Sequence, residues 1–225
     1  LSNLKINNFD NGLYLTNTSI AQSIYTNITI NGSSSNAVYI SNSSDNRFYN
    51  LNLTGNNNGI YLLGNSSNNK ITDAIIQSSV YDIFSNSTAG TNNTFLNATF
   101  TKSKLRVDSG KVYINWYFNL FANDSWSHSV ENVSIIIKNK DSQNVLSNQT
   151  NSSGYLPLSE LTEYYKNSTT EYYFSNYTIN ASKSGYYNNS KSINLTGNTN
   201  TFIELVKLGC VGSTNTFACG ENIYE

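Results

Sequence analysis

The chain has 225 residues, with 13 Lys and Arg against 14 Asp and Glu, for a net charge of −1. That balance leaves no electrostatic footprint for nucleic acid or for an anionic membrane surface. Charged residues are 12% of the chain, about half the usual share, so Asn, Ser, Thr and Tyr must supply the polar surface.

The length suits one large or two modest domains. The 17 Tyr and 10 Phe set the chain apart from disordered polar sequences, because aromatic residues suit pleated, half-buried surfaces. No apolar run approaches the roughly 18 residues of a membrane helix. No signal peptide is evident, and the chain opens at Leu1 inside a repeat, as a mature product or a fragment would.

The first hundred residues repeat with a period of 23 to 24. A first strand reads as apolar-x-apolar after a polar residue: Asn3-Leu4-Lys5-Ile6, Asn27-Ile28-Thr29-Ile30, Asn50-Leu51-Asn52-Leu53, Asp73-Ala74-Ile75-Ile76 and Asn97-Ala98-Thr99-Phe100. A second strand follows at Leu13-Tyr14-Leu15, Val38-Tyr39-Ile40, Ile60-Tyr61-Leu62 and, less cleanly, Tyr81-Asp82-Ile83. A third has a lone apolar centre, at Ile24, Phe48, Ile71 and Phe95. Three short strands cannot bury a face alone, so each repeat must stack on the next. The expected architecture is a right-handed parallel β-helix over 1–108. Its core columns would be Ile6, Ile30, Leu53, Ile76 and Phe100, and Ile24, Phe48, Ile71 and Phe95. Asn46, Asn69 and Asn93, and separately Asn50, Asp73 and Asn97, fall at fixed offsets from the third strand and are expected to form side-chain ladders at the corners.

These Asn-rich coils resemble the parallel β-helix repeat of periplasmic copper-processing proteins and polysaccharide lyases. The Asn/Ser/Thr/Tyr-heavy version is similar to β-helix surface proteins of archaea. The resemblance covers about residues 1–105 and implies a fold, not an activity, since one fold hosts many functions.

The repeat stops near Asp108-Ser109-Gly110. Strands are expected at Val112–Phe121, Val133–Ile137, Tyr172–Phe174, Tyr177–Ala181, Ile193–Leu195 and Phe202–Val206. Asn151 to Tyr155 reads as a turn, and Leu158 to Tyr165 as a short helix or a loop. This pattern predicts an antiparallel β-sandwich over 109–207. Val133, the Asn151 to Tyr155 turn and the Tyr177 to Tyr186 stretch resemble a transthyretin-like, carboxypeptidase-regulatory module. Glu131-Asn132 stands where that family usually has Gly-Ala. The resemblance implies a scaffold or spacer without catalytic residues.

The tail, 208–225, carries Asn215-Thr216-Phe217-Ala218-Cys219, patterned like Asn93-Thr94-Phe95-Leu96-Asn97. Two readings stand side by side. The tail starts a further coil, belonging to a following module or pairing through Asn215 and Phe217 with the next subunit; or the chain is an ordinary excised domain. Cys210 and Cys219 could bridge to each other, stay free, or pair outside the chain.

The sequon Asn-x-Ser/Thr, the acceptor of N-glycans, occurs 18 times: at Asn17, Asn27, Asn31, Asn42, Asn52, Asn65, Asn86, Asn92, Asn97, Asn123, Asn132, Asn148, Asn151, Asn167, Asn176, Asn180, Asn188 and Asn194. Composition alone would give about ten. Asn17, Asn42, Asn65 and Asn86 each follow the second strand, as an outer column would.

Catalytic chemistry lacks the usual residues. The only arginines are Arg47 and Arg106, the repeat's acids are scattered with Asp73 and Asp82 the best pair, and the sole histidine, His128, sits beside Trp126 on a polar loop. Tyr14, Tyr39 and Tyr61 form an outward stripe that either stabilises the sheet or stacks on sugars. The sequence therefore points to an extracellular or cell-surface structural glycoprotein without cofactor or metal, carrying covalent N-glycans. Its partners would be copies of itself, further modules of a longer chain or glycans. A glycan-binding adhesin and a polysaccharide-active enzyme are the alternatives.

Overall fold

The structure is a computed structural model that describes residues 1–17 and 23–208. Its strands are β1 (Ser2–Asn7), β2 (Asn11–Thr16), β3 (Ile24–Asn31), β4 (Asn36–Ser41), β5 (Arg47–Leu63), β6 (Lys70–Ser85), β7 (Asn93–Thr99), β8 (Leu105–Val107) and β9 (Val112–Asp124), followed by β10 (Ser134–Lys138), β11 (Asn144–Gln149), β12 (Ser159–Lys166), β13 (Glu171–Tyr173), β14 (Tyr177–Ser182), β15 (Asn189–Ile193) and β16 (Thr199–Leu205). Two compact units result: Leu1–Trp116 with Thr162–Tyr173, and Tyr117–Leu161 with Phe174–Glu225, the latter described as far as Leu208. Residues 109–116 and 162–173, placed in the second module by sequence, thus cluster with the first.

The first unit is a parallel β-helix. On one face β1, β3, the first part of β5 and β6 pair in parallel, aligning Ile6 with Ile30, Ile30 with Leu53 and Leu53 with Ile76. On a second face β2, β4, β5 and β6 align Leu13, Val38, Ile60 and Ile83. The third face aligns Tyr25, Phe48, Ile71, Phe95 and Ile114. Ile28, Ile30, Leu53, Ile76, Phe48, Ile71 and Phe95 are fully buried, and each contributes about 1.5–3 kcal/mol relative to exposure. Leu4, Ile6 and Phe100 pack against this core while partly exposed.

One core column differs from the sequence expectation. Tyr25, not Ile24, stacks on Phe48, with ring centroids 4.8 Å apart, and Ile24 is 55% exposed. The reason lies in the corner. Each third-strand core residue stands two positions before a residue in the left-handed region: Asn27 (φ 54°), Asn50 (56°), Asp73 (56°) and Asn97 (51°). Asn and Asp tolerate this region better than other side-chain-bearing residues. The offset from Asn27 therefore selects Tyr25.

Three asparagine ladders run along the stack. At the first corner Asn27 donates Nδ2 to Asn3 Oδ1 (3.0 Å), Asn50 to Asn27 (3.0 Å), and Asn97 to Asp73 (2.6 Å). Inside the coil Asn46, Asn69 and Asn93 are fully buried. There Asn46 Nδ2 donates to Asn69 Oδ1 (2.8 Å) and Asn69 Nδ2 to Asn93 Oδ1 (3.0 Å). The same two acceptors also receive the backbone N–H groups of Asn46 and Asn69, each at 3.1 Å. A third ladder, on the second face, joins Asn58 to Asn36 (3.1 Å) and Asn36 to Asn11 (2.8 Å).

Most of the hairpin of β12 and β13, from Thr162 to Tyr173, belongs to the first unit. Leu158 to Tyr165, expected as a helix or loop, lies mostly in β12. Tyr164 and Tyr165 face Tyr173 and Tyr172 across an antiparallel pair, and Asn167 Oδ1 shapes the turn by accepting the N–H of Thr169 and Thr170. Glu163 is buried, with Trp116 Nε1 donating to it at 2.6 Å and Lys102 Nζ at 2.5 Å.

The second unit holds a four-stranded antiparallel sheet in the order β11-β10-β14-β15. β11 went unforeseen. The antiparallel sheet agrees with the sequence expectation; beside it, β16 pairs in parallel with the later part of β9, from Thr199–Phe118 to Leu205–Asp124. Phe118, Leu120, Ile135, Ile137, Ile179 and Leu195 are fully buried here. The expected turn at Asn151 is present, its Oδ1 accepting the N–H groups of Ser153 and Tyr155.

Removing one interior rung leaves a buried N–H and amide without partners, at about 1–3 kcal/mol for each unsatisfied group. Asn69→Ala should therefore lower unfolding stability by about 2–4 kcal/mol, read from denaturant midpoints. Asn68→Gly, at an exposed left-handed corner with φ 58°, should leave the midpoint nearly unchanged.

Candidate functional site

The sequons and the aromatic stripe are the two surface features that the sequence singled out. The sequons fall into classes. Asn17, Asn31, Asn42, Asn52, Asn65, Asn92, Asn132, Asn148, Asn151, Asn176, Asn188 and Asn194 are exposed, and none donates its Nδ2 in a hydrogen bond to a described residue. Asn167 and Asn180 are half-buried. In Asn27, Asn86, Asn97 and Asn123 the nitrogen that would carry the sugar is already engaged. Asn27 and Asn97 donate it along the outer ladder, and Asn86 donates it to Tyr61 Oη. Asn123 is 9% exposed and donates to the carbonyl of Asp124, so a glycan there is incompatible with the fold.

Asn17, Asn42, Asn65 and Asn86 do not make one register column. Asn17 and Asn42 both sit at a left-handed corner, with φ 51° and 47°, and the next coil places Gly64 there, with φ 60°. A Cβ on Gly64 would lie 2.1 Å from Asn42 Oδ1, so this glycine lets the coils close up. Asn65 is displaced by one residue, its N–H donating to Asn42 Oδ1 at 3.3 Å. Asn86 N–H meets the carbonyl of Leu62. The displacement separates the attachment points, which in register would stand about 4.8 Å apart.

The stripe is longer than the sequence indicated. Tyr14, Tyr39, Tyr61, Phe84 and Arg106 occupy successive positions of one register. The fourth coil contributes Ile83-Phe84-Ser85 at this register, one pair of residues later than the Tyr81-Asp82-Ile83 reading. Tyr14 and Tyr39 stack with centroids 4.6 Å apart and planes within 2°, and Tyr39 and Tyr61 at 5.4 Å and 7°. Phe84 meets Tyr61 edge-on at 5.0 Å. The Arg106 guanidinium lies 4.9 Å from the Phe84 ring and donates to Tyr81 Oη at 2.9 Å. Sugars stack on aromatic faces, and along this stripe the tyrosine faces are spent on one another. What the stripe presents is ring edges and the outer face of Tyr14, which is 56% exposed. Tracking every second strand residue to Arg106 in register, rather than searching for Tyr, would have found the whole column.

The acidic candidates have local partners. Asp73 is a ladder acceptor. Asp82 is fully buried and accepts the N–H of Ser78 (2.8 Å) and of Thr101 (2.7 Å). Burial alone would raise the Asp124 carboxyl, but N–H donation from His128 and Trp126 outweighs it and holds the group below the usual carboxylate value. His128 Nδ1 stands 3.4 Å from Asp124 Oδ2 with its side chain largely exposed. Arg47 donates to the carbonyl of Asn68. Among the described residues, no group of three His, Cys, Asp or Glu could hold a metal, and no helix is long and apolar enough to cross a membrane. Cys210, Cys219, Asn215 and Phe217 lie outside the described residues.

No protein-family model matches the sequence, and no curated protein does. Among solved structures, the chain is similar to the Bacillus anthracis TIE protein, at 14% identity over 46% of this chain and 19% of that one, with a TM-score of 0.33. Two variants of the shaft pilin SpaA from Lactobacillus rhamnosus GG match at 12% identity over 51% of this chain, with TM-scores of 0.25. The chain spans 60% and 55% of those two structures.

Two outcomes follow from this surface. Glycopeptide mass spectrometry of native protein should find sugar on Asn42, Asn52 and Asn65 and none on Asn27, Asn97 and Asn123. Separately, burial raises the phenols of Tyr39 and Tyr164 above the ordinary 10.0. The unfolded chain then loses these protons first. Their contribution to stability is complete below pH 10 and is lost as pH rises beyond it. Denaturation midpoints should hold up to about pH 10, the ordinary phenol value, and fall as pH rises beyond it, less steeply in Tyr164→Phe.

Proposed function

We propose that this chain is a non-catalytic structural module of an extracellular or cell-surface glycoprotein. The observation that carries the reading is the set of exposed sequon asparagines with unengaged Nδ2 atoms on a surface poor in charge. Hydration that charged side chains supply elsewhere would here come from covalent glycans. The β-helix supports the same reading. Its polar ladders hold coil to coil and need no ligand, which suits a stiff spacer. The likeness of the coils to archaeal surface proteins, and of the second module to transthyretin-like spacers, fits this role. Assembly would be head to tail with copies of itself or with further modules of a longer chain, through the segment bearing Asn215 and Phe217. A glycan-binding adhesin is the second reading, resting on the free outer face of Tyr14.

Protease shaving of intact native cells tests the proposal. Release of peptides from this chain into the medium, with sugar on the exposed sequons, is the expected result. A protease-protected chain with bare asparagines would overturn it. Tyr14→Ala separates the two readings: unchanged retention on a glycan array is expected of a structural module, and lost retention of an adhesin.

A further inference from the structure

The two edges of the four-stranded sheet are not alike. At the β15 edge, Asn189 Nδ2 donates to the carbonyl of Glu204 at 2.7 Å and Lys191 Nζ to that of Phe202 at 3.0 Å. Side chains thus tie that edge to β16. At the other edge, among the described residues, β11 pairs only with β10. Its sequence, Asn144-Val145-Leu146-Ser147-Asn148-Gln149, has no charge, no proline and no glycine. Every residue is exposed except Leu146, which is half-buried. Val145 alone is 41% exposed. Lys138, Lys140 and Asp141 stand near the hairpin end, and Ser147–Gln149 carry no charge of their own. A neutral, open strand of this kind is a template for pairing with another chain, and natural sheets blunt such edges with charge, proline, a bulge or a cover. The one irregularity in the β10–β11 ladder lies at the hairpin end, between Ile137 and Lys138.

What β11 does have, in its unguarded half, is a sequon. Asn148 is exposed, and its Oδ1 accepts the N–H of Gln149 at 2.8 Å. That bond already withholds one edge donor from a foreign strand. It also fixes the amide while its Nδ2 makes no hydrogen bond to a described residue, so the glycan-bearing atom is available at the edge. We propose that an N-glycan on Asn148 covers the open edge of this sheet and prevents β11 of one copy from pairing with β11 of another. The proposal rests on the glycoprotein reading above. A bulky hydrated chain does at this edge what lysine or proline does elsewhere, in a protein with few charges to deploy.

The test uses the whole chain secreted from a host that installs N-glycans, with site occupancy read by glycopeptide mass spectrometry and mass by sedimentation velocity. Asn148→Gln removes the glycan and keeps the edge neutral. Asn148→Asp removes the glycan but supplies a charge. Asn52→Gln removes a glycan from the β-helix face. The expected result is an occupied Asn148, with an average mass about double that of the parent chain for Asn148→Gln, as isologous pairing gives. Asn148→Asp and Asn52→Gln should match the parent. An occupied Asn148 whose Gln variant keeps the parent's mass overturns the inference and leaves the glycoprotein reading standing. So does a bare Asn148 beside occupied Asn42 and Asn65. Bare asparagines throughout overturn both.

Discussion

The β-helix depends on the hydrogen bond from a side-chain amide of one coil to that of the next. A parallel stack satisfies backbone groups along its flat faces, but every corner interrupts the ladder and exposes N–H groups that need partners. Here asparagine closes the gap. At the outer corner it takes the left-handed backbone and its amide reaches the equivalent residue one coil away. Inside, Asn69 Oδ1 accepts both the Nδ2 of Asn46 and the backbone N–H of Asn46, so one atom holds a buried corner together. An amide is the side chain that can both donate and accept along a column without carrying charge. Where aspartate enters, at position 73, it serves as acceptor for Asn97 and cannot donate onward.

The same chemistry links fold to surface. A corner that demands asparagine in the left-handed region, beside the serines and threonines of the neighbouring strand, generates Asn-x-Ser/Thr as a by-product. Asn27 and Asn97 are sequons of this kind, with their nitrogens committed to the ladder. Asn52, by contrast, points outward from the middle of a face where no corner requires it, and Asn148 sits in an edge strand. Counting sequons mixes structural rungs with attachment points. Hydrogen bonding of Nδ2 separates them.

Much of the fold was legible because period and chemistry agreed. The first-face column from Ile6 to Ile76 follows from spacing alone, and the interior ladder from the offset of Asn46, Asn69 and Asn93. The misreadings came where two residues of similar character compete. Ile24 is the more apolar neighbour of Tyr25, yet the corner at Asn27 fixes the register. Tyr81 looks like the next tyrosine of the stripe, yet Phe84 holds the position because Ile83 aligns with Ile60. Ser159 to Lys166 mixes helix-forming Leu and Glu with strand-forming Tyr, and the pairing of Tyr164 and Tyr165 with distant tyrosines decides for a strand. The parallel pairing of β16 with β9 joins segments some eighty residues apart, roughly the separation at which local pattern carries no pairing information.

Amide hydrogen exchange at the interior corner tests the central claim most directly. The N–H groups of Asn46 and Asn69 bond to side-chain oxygens rather than to backbone. If the interior ladder holds the coils together, both amides exchange only on global unfolding, as slowly as those of Ile71 and Phe95 in the core strands. Exchange of Asn46 and Asn69 at the rate of an exposed turn amide such as Ser152 would contradict the account.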